Sequence, residues 1–216
     1  PEGYTYQVIA PWGDPVGMSG ENHAFKDDAS NSAAHQETQV GMHHDGMHFF
    51  PLDARTDGKN SAEGVLVFNH EYVEPATLHQ NGPTGAPRPA DEVRKEVAAH
   101  GVTVAHIKKD ASGQFQLVQG SPLNRRVTGA TPMEISGPAR GDAKMVTKYS
   151  PDGTRTRGTL NNCGNGYTPW GTYLTAEENW AGYFMNSDVQ QPREHKRYGV
   201  GTKNGRYYWE TADSGA

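Results

Sequence analysis

Apolar positions along this chain come in short bursts separated by turn chemistry. "YTYQVIA" (Tyr4 to Ala10) alternates and is rich in β-formers, which predicts a strand. Asn22 to Gln39 is polar and small-residue rich, a surface excursion with little core. "MHFFPL" (Met47 to Leu52) predicts a second strand, and Asp57-Gly58 a turn after it. "GVLVFNHEY" (Gly64 to Tyr72) is the most apolar run and predicts a central, buried strand. Asn81 to Pro89 is a Pro/Gly loop. "ADEVRKEVAAHG" (Ala90 to Gly101) has Val93 and Val97 at helical spacing, acids in its first turn and a terminal glycine, which predicts the longest helix. Val102 to Gln119 predicts a hairpin about "DASG", and "KMVTKYSPDGTRTRGTL" another about Ser150–Gly153. "TYLTAEE" (Thr172 to Glu178) predicts a strand, and "RYGVG", "TKNG" and "RYYWE" a closing hairpin. The expected class is therefore all-β with one short helix: a propeller, sandwich or barrel without a strict sequence repeat.

Composition sharpens this picture. Leu, Ile, Val and Phe make up 31 of 216 residues, below the ~20% of a well-cored domain. Ten tyrosines and four tryptophans, with a net charge of only -5, argue against disorder. A loop-rich β protein that leans on bound ions, or on polypeptide beyond these ends, fits better. No basic stripe suggests nucleic acid, and no apolar run suggests a membrane span. The chain opens on Pro1, which implies processing or excision, and one cysteine suits either redox compartment.

Standard motifs are absent: no P-loop, G-x-S-x-G elbow, H-E-x-x-H or Cys/His zinc spacing. "DARTDGKNSAEG" (Asp53 to Gly64) mimics a calcium loop but fails at Arg55 and Gly64. "HHDGMH" offers three imidazoles and Asp45; on a regular strand His44 and His48 share one face, His43 and Asp45 the other. Asp45, just before a glycine, is the member best placed to meet a hard cation. Glu71 ends the most buried strand, where a carboxylate either emerges into solvent or faces a pocket or metal. Cys163 sits in "NNCGNG" with no local base to activate it, so it is a small core residue, a nucleophile or a metal ligand. Glu177 and Glu178 point to opposite faces if their strand continues.

"TLNNCGNGYTPWGTYLTAEENW" (Thr159 to Trp180), with "GVLVFNHEY" and "DGMHFFPL" upstream, resembles the PhoX-type alkaline phosphatases across about Tyr4 to Glu210. The resemblance implies a secreted or periplasmic phosphomonoesterase with a β-propeller-like fold, acting on small phosphate esters at a mixed Fe(III) and calcium cluster. It maps Cys163 onto the iron-ligating cysteine, and makes Glu71 and one or both of Glu177 and Glu178 carboxylate ligands, with Asp45 as a further candidate. Asn162 and Thr168 are the candidate substrate contacts. Residues 1–216 would be the N-terminal portion of one propeller-like domain, since family members are far longer. A non-catalytic calcium-binding propeller module and a calcium-dependent lactonase-like hydrolase are the alternatives; Cys163 separates them, because a thiolate is too soft for calcium.

Overall fold

The computed structural model describes residues 2–17, 23–52 and 59–213. Half of the calcium-loop mimic (residues 53–58), with the Asp57-Gly58 turn, lies outside them. The central element is an antiparallel sheet. β1 (His44–Pro51) pairs with β2 (Glu63–His70), and β2 with β3 (Gly101–Lys109). The far edge of β3 is shared: its end pairs with β4 (Phe115–Leu117) and its start with β5 (Arg125–Val127). Asn124 fills the gap between them, its Oδ1 accepting from the His106 amide at 2.7 Å. β6 (Pro132–Glu134) pairs with β7 (Arg155–Arg157), and β8 (Asn162–Tyr167) with β9 (Tyr173–Glu177). Helices are short: α1 (Ala33–Gln36), α2 (Pro75–Leu78), α3 (Ala90–Ala99) and α4 (Arg193–Tyr198). The protein is thus mainly β, with α3 its longest described helix.

From Val65 to Phe68 β2 is apolar because both of its faces are covered. On one, Phe68, Ala105 and Ile107 pack against Ala10, Val16 and Val40. On the other, Val67, Val102 and Val104 meet Phe50, Val65, Val127 and Tyr173. Helix α3 ends where His100 becomes the C-cap, and Gly101 follows at φ +100°. A Cβ there would sit 2.0 Å from the Val127 carbonyl, so only glycine lets β5 close on the helix end.

Four expectations are corrected. Tyr4 to Ala10 forms no strand: the Tyr4, Tyr6 and Val8 side chains are exposed, and the Gln7 side chain takes both backbone groups of Phe115 that a neighbouring strand would have used. The polar stretch before Val40 is not all surface. Gln36 and Gln39 are buried, because their amides find partners in Trp12, Val40 and His23. The turn at Ser150–Gly153 is present, but β7 pairs with the distant β6 rather than with residues 145–149. The closing hairpin is replaced by α4 and a 3₁₀ turn at Trp209–Thr211; Gly199 ends α4 in the left-handed region.

Buried charge organises the side of α3. Glu96 is fully buried and accepts from Arg88, His79 and the Trp209 indole. Burial alone would push its carboxyl up, but those three donors outweigh it and hold it below the ordinary 4.5. At the end of the same helix His100 donates from Nδ1 to the Glu96 carbonyl at 2.7 Å and accepts the Tyr183 hydroxyl at Nε2, 2.9 Å away. Burial lowers its pKa to about 4, so it stays neutral.

Glu96→Ala strands the buried Arg88 guanidinium and should cost about 3 kcal/mol, read as a lower urea midpoint at pH 7. A carboxyl depressed in the folded state stabilises fully above its unfolded value and loses that contribution as pH falls through the folded one. Wild-type stability should therefore drop more steeply below about pH 4.5 than that of Glu96→Gln; parallel acid limbs would refute this.

Candidate metal centre

Four chain segments meet at one end of the large sheet. The Glu71 amide, just past β2, donates to the His43 carbonyl, just before β1, at 3.0 Å. Between them β1 carries a bulge: His44 opposes His70 and Met47 opposes Phe68, so three steps on β1 match two on β2. The extra residue falls at Asp45-Gly46 and breaks the alternation expected for "HHDGMH". His44 lies edge-on to Phe68 at 4.8 Å, and His48 stacks on Tyr167 at 3.8 Å. His44 and His48 pack on aromatic rings, while Asp45 joins the site.

Gly46 is the reason β8 can come so close. A Cβ there would lie 2.6 Å from Asn165 Oδ1 and 2.7 Å from the Cys163 carbonyl. Asn69, buried in β2, fastens the approach: its Nδ2 donates to the carbonyls of Cys163 at 2.9 Å and Gly164 at 3.2 Å. Its Oδ1 accepts from Thr175 Oγ1 at 2.9 Å. The Tyr173 hydroxyl lies 2.8 Å from the Gly46 carbonyl and 3.0 Å from the same Oδ1, sharing one proton between them.

Asn161 makes the second clamp, in the left-handed region at φ +53°, which asparagine tolerates. Its Nδ2 donates to the Glu71 carbonyl at 3.1 Å and its Oδ1 accepts from the Asn179 amide at 2.6 Å. Its own carbonyl accepts from the Glu178 amide at 3.0 Å. One residue, two before Cys163, therefore grips both glutamate-bearing segments. Tyr183 backs it: its hydroxyl accepts from Asn161 Nδ2 at 3.3 Å while donating to His100. The end of α3 thereby supports the site.

The result is a cluster of anionic donors. One ligand atom each from Asp45, Glu71 and Cys163 lie within 4.8 Å of one another. Glu178 reaches the same group, contacting both Glu71 and Cys163. Glu177 turns away; its Oε1 accepts from Thr159 Oγ1 and the Leu160 amide, each at 2.8 Å. The adjacent glutamates thus divide, one to the cluster and one to bracing the hairpin. Hydrogen bonding with Asp45, then burial and Glu178, push the Cys163 thiol up to about 11. Burial first, then Asp45 and Glu178, raise the Glu71 carboxyl. The leading influences on both groups all favour the protonated form. That is what crowded ligands experience without a counter-charge, and a multivalent cation would reverse it. One thiolate with three carboxylates is a donor set suited to a multivalent cation.

Asn162 and Thr168, the candidate substrate contacts, are engaged locally. Asn162 Nδ2 donates to Thr159 Oγ1 at 3.0 Å and Thr175 Oγ1 at 2.8 Å, and Thr168 Oγ1 accepts from the Thr172 amide at 3.0 Å. Both stabilise the β8–β9 hairpin. The sequence reading missed Gly46, Asn69 and Tyr183 as supports. Asn69 carried a signal: an amide within the most apolar run must find partners there. Tyr183 and Gly46 carried none that sequence spacing could expose.

The fold is similar to that of Pseudomonas fluorescens PhoX in complex with vanadate, a transition state analogue, with a TM-score of 0.87 and 39% sequence identity. The match covers 99% of this chain and 35% of that one, so the chain spans about a third of that protein's length. No curated protein matches the chain. The family model for alkaline phosphatase PhoX matches residues 1–214. On these grounds the chain belongs to the PhoX alkaline phosphatase family.

Proposed function

We propose that this chain supplies the cysteine-bearing part of a metal-dependent phosphomonoesterase site, with Cys163, Asp45, Glu71 and Glu178 holding Fe(III) and calcium. The observation that carries this is the convergence of Asp45, Glu71 and Cys163 from three separate strand ends in a chain of this family. Bound cations would neutralise an incoming phosphate and polarise its oxygens. The chain's own residues do the rest. Asn161 and Asn69 fix the segments of Glu71, Glu178 and Cys163 through backbone bonds, so little reorganisation of these three opposes binding. Glu177 braces the hairpin and takes no part in ligation. The vanadate complex of the Pseudomonas relative supports phosphoryl chemistry for the family. We assign the substrate as a small-molecule phosphate monoester, and the location as periplasmic or secreted. We further assign residues 1–216 to a longer, propeller-like domain. Among the described residues no helix is long and apolar enough to cross a membrane. The calcium-only alternatives leave the thiol at the centre of the cluster without a role.

In the complete, metal-loaded enzyme, Cys163→Ser keeps side-chain volume but removes the soft ligand. It should weaken iron binding by about 100-fold or more, abolish visible absorption and stop phosphate-ester hydrolysis, while calcium survives in part. Elemental analysis with absorption spectra decides; a serine variant with full iron and activity refutes the assignment.

The adjacent glutamates give a paired test. Glu178→Gln should deplete metal with little change in the thermal midpoint of the metal-free form. Glu177→Gln should keep its metal and lose roughly 1–2 kcal/mol of stability, as a charged acceptor is replaced by a neutral one. The reverse pattern would exchange their roles.

A further inference from the structure

Beside the cluster the surface opens into a pocket of about 270 Å³, and Glu178 forms part of its wall. Trp180 and Tyr198 line it, their ring centroids 5.3 Å apart and tilted by 53°. Arg206 also lines it. Its guanidinium lies over the Tyr72 ring at 4.6 Å, and its amide donates to the Gly182 carbonyl at 2.6 Å. Tyr72 is in turn fixed by Asn179, whose Nδ2 donates to its hydroxyl at 2.8 Å. A Cβ on Gly182 would approach Arg206 Nη2 to 3.2 Å, so the glycine leaves that arginine its place. The residues flanking Glu71 and Glu178 in sequence, Tyr72 and Asn179, therefore tie the pocket to the donor cluster.

Resting on the phosphomonoesterase reading, we propose that this pocket receives the organic group of the ester, and that Trp180 and Tyr198 favour flat aromatic groups over small aliphatic ones. A phosphate held at the cluster would set its organic group beside Glu178, which belongs both to the cluster and to the wall of this pocket. Aromatic walls present large, weakly hydrated faces on which a planar ring buries area that a glycerol-sized group does not have. Arg206 is held over the Tyr72 ring and offers its guanidinium to polar substituents on the bound ring. Trp180 and Tyr198 are specificity-determining residues here. The donor cluster does the chemistry whichever ester is bound.

The test compares phenyl phosphate with glycerol phosphate in the complete, metal-loaded enzyme. Trp180→Ala should lower kcat/KM for phenyl phosphate roughly 5- to 20-fold, the loss of one ring–ring contact and its buried area. It should leave glycerol phosphate within about twofold and metal content unchanged, and Trp180→Phe should recover most of the loss. Equal losses on both esters, or none on either, would overturn the proposal. Binding of the non-hydrolysable phenylphosphonate and methylphosphonate by calorimetry supplies a readout apart from turnover. If the wild-type enzyme hydrolyses neither ester, the phosphomonoesterase reading fails. A phenylphosphonate preference lost in Trp180→Ala would still support the pocket, and equal affinity for the two phosphonates would refute it.

Discussion

Mutual repulsion among Asp45, Glu71, Cys163 and Glu178 is the constraint that the rest of the structure answers. When ionised, two unit charges about 4 Å apart near a protein surface repel by about 4 kcal/mol; here three donor atoms lie within 4.8 Å, and the strain shows as Glu71 and Cys163 shifted toward their protonated forms. A fold that holds such a group must grip the backbone, because the side chains push one another apart. The grip comes from two buried asparagines. Asn69 holds β8 at the bulge of β1, and Asn161 holds the segments carrying Glu71 and Glu178. Each carries donor and acceptor on one short, rigid side chain, so it can link a carbonyl on one segment to an amide or hydroxyl on another.

This accounts for the composition. The apolar content is low for a chain of this length, yet the described residues bury Gln36, Gln39, Asn69, His70, Asn124, Asn161 and Asn162. Apolar packing is non-directional and cannot set the position of a ligand atom. Hydrogen bonds are directional, and buried ones are costly to leave unmade. His70 shows how tightly this is drawn. Its Nε2 accepts from the Gly41 amide and the Thr103 hydroxyl while Nδ1 donates to the Met42 carbonyl. Burial and the neighbouring Arg126 push its pKa well below the ordinary 6.5. The site rests on a core that is polar and directionally bonded.

Helix α3 and the donor cluster are linked through the end of that helix. His100 holds Tyr183, Tyr183 supports Asn161, and Asn161 holds the glutamate segments. The buried ion pair of Glu96, on that helix, with Arg88, just before it, thus stabilises the element from which that chain of contacts starts. The pocket walled by Trp180 and Arg206 grows from the same segment, since Trp180 opens the 3₁₀ turn that ends in Tyr183.

What the sequence determined by itself were the features written in neighbouring residues. The apolar run of β2, the spacing of Val93 and Val97 in α3, the "DASG" turn and the β9 strand depend on local period and turn chemistry, and they form where those signals place them. The motif from Thr159 to Trp180 also pointed to the family, and with it to Cys163 and the glutamates. Tertiary structure alone decided the rest. The bulge that brings Asp45 into the cluster exists because β1 must register against β2 and admit β8 at Gly46. Glu178 rather than Glu177 joins the cluster because Thr159 and Leu160 claim the other carboxylate. β7 found β6, and the C-terminal segment formed α4, because β pairing is chosen among all available edges and not by the nearest turn. The contact from Asn161 to Glu71 spans 90 residues, and no local pattern encodes a bond whose partner is selected only when the chain has folded.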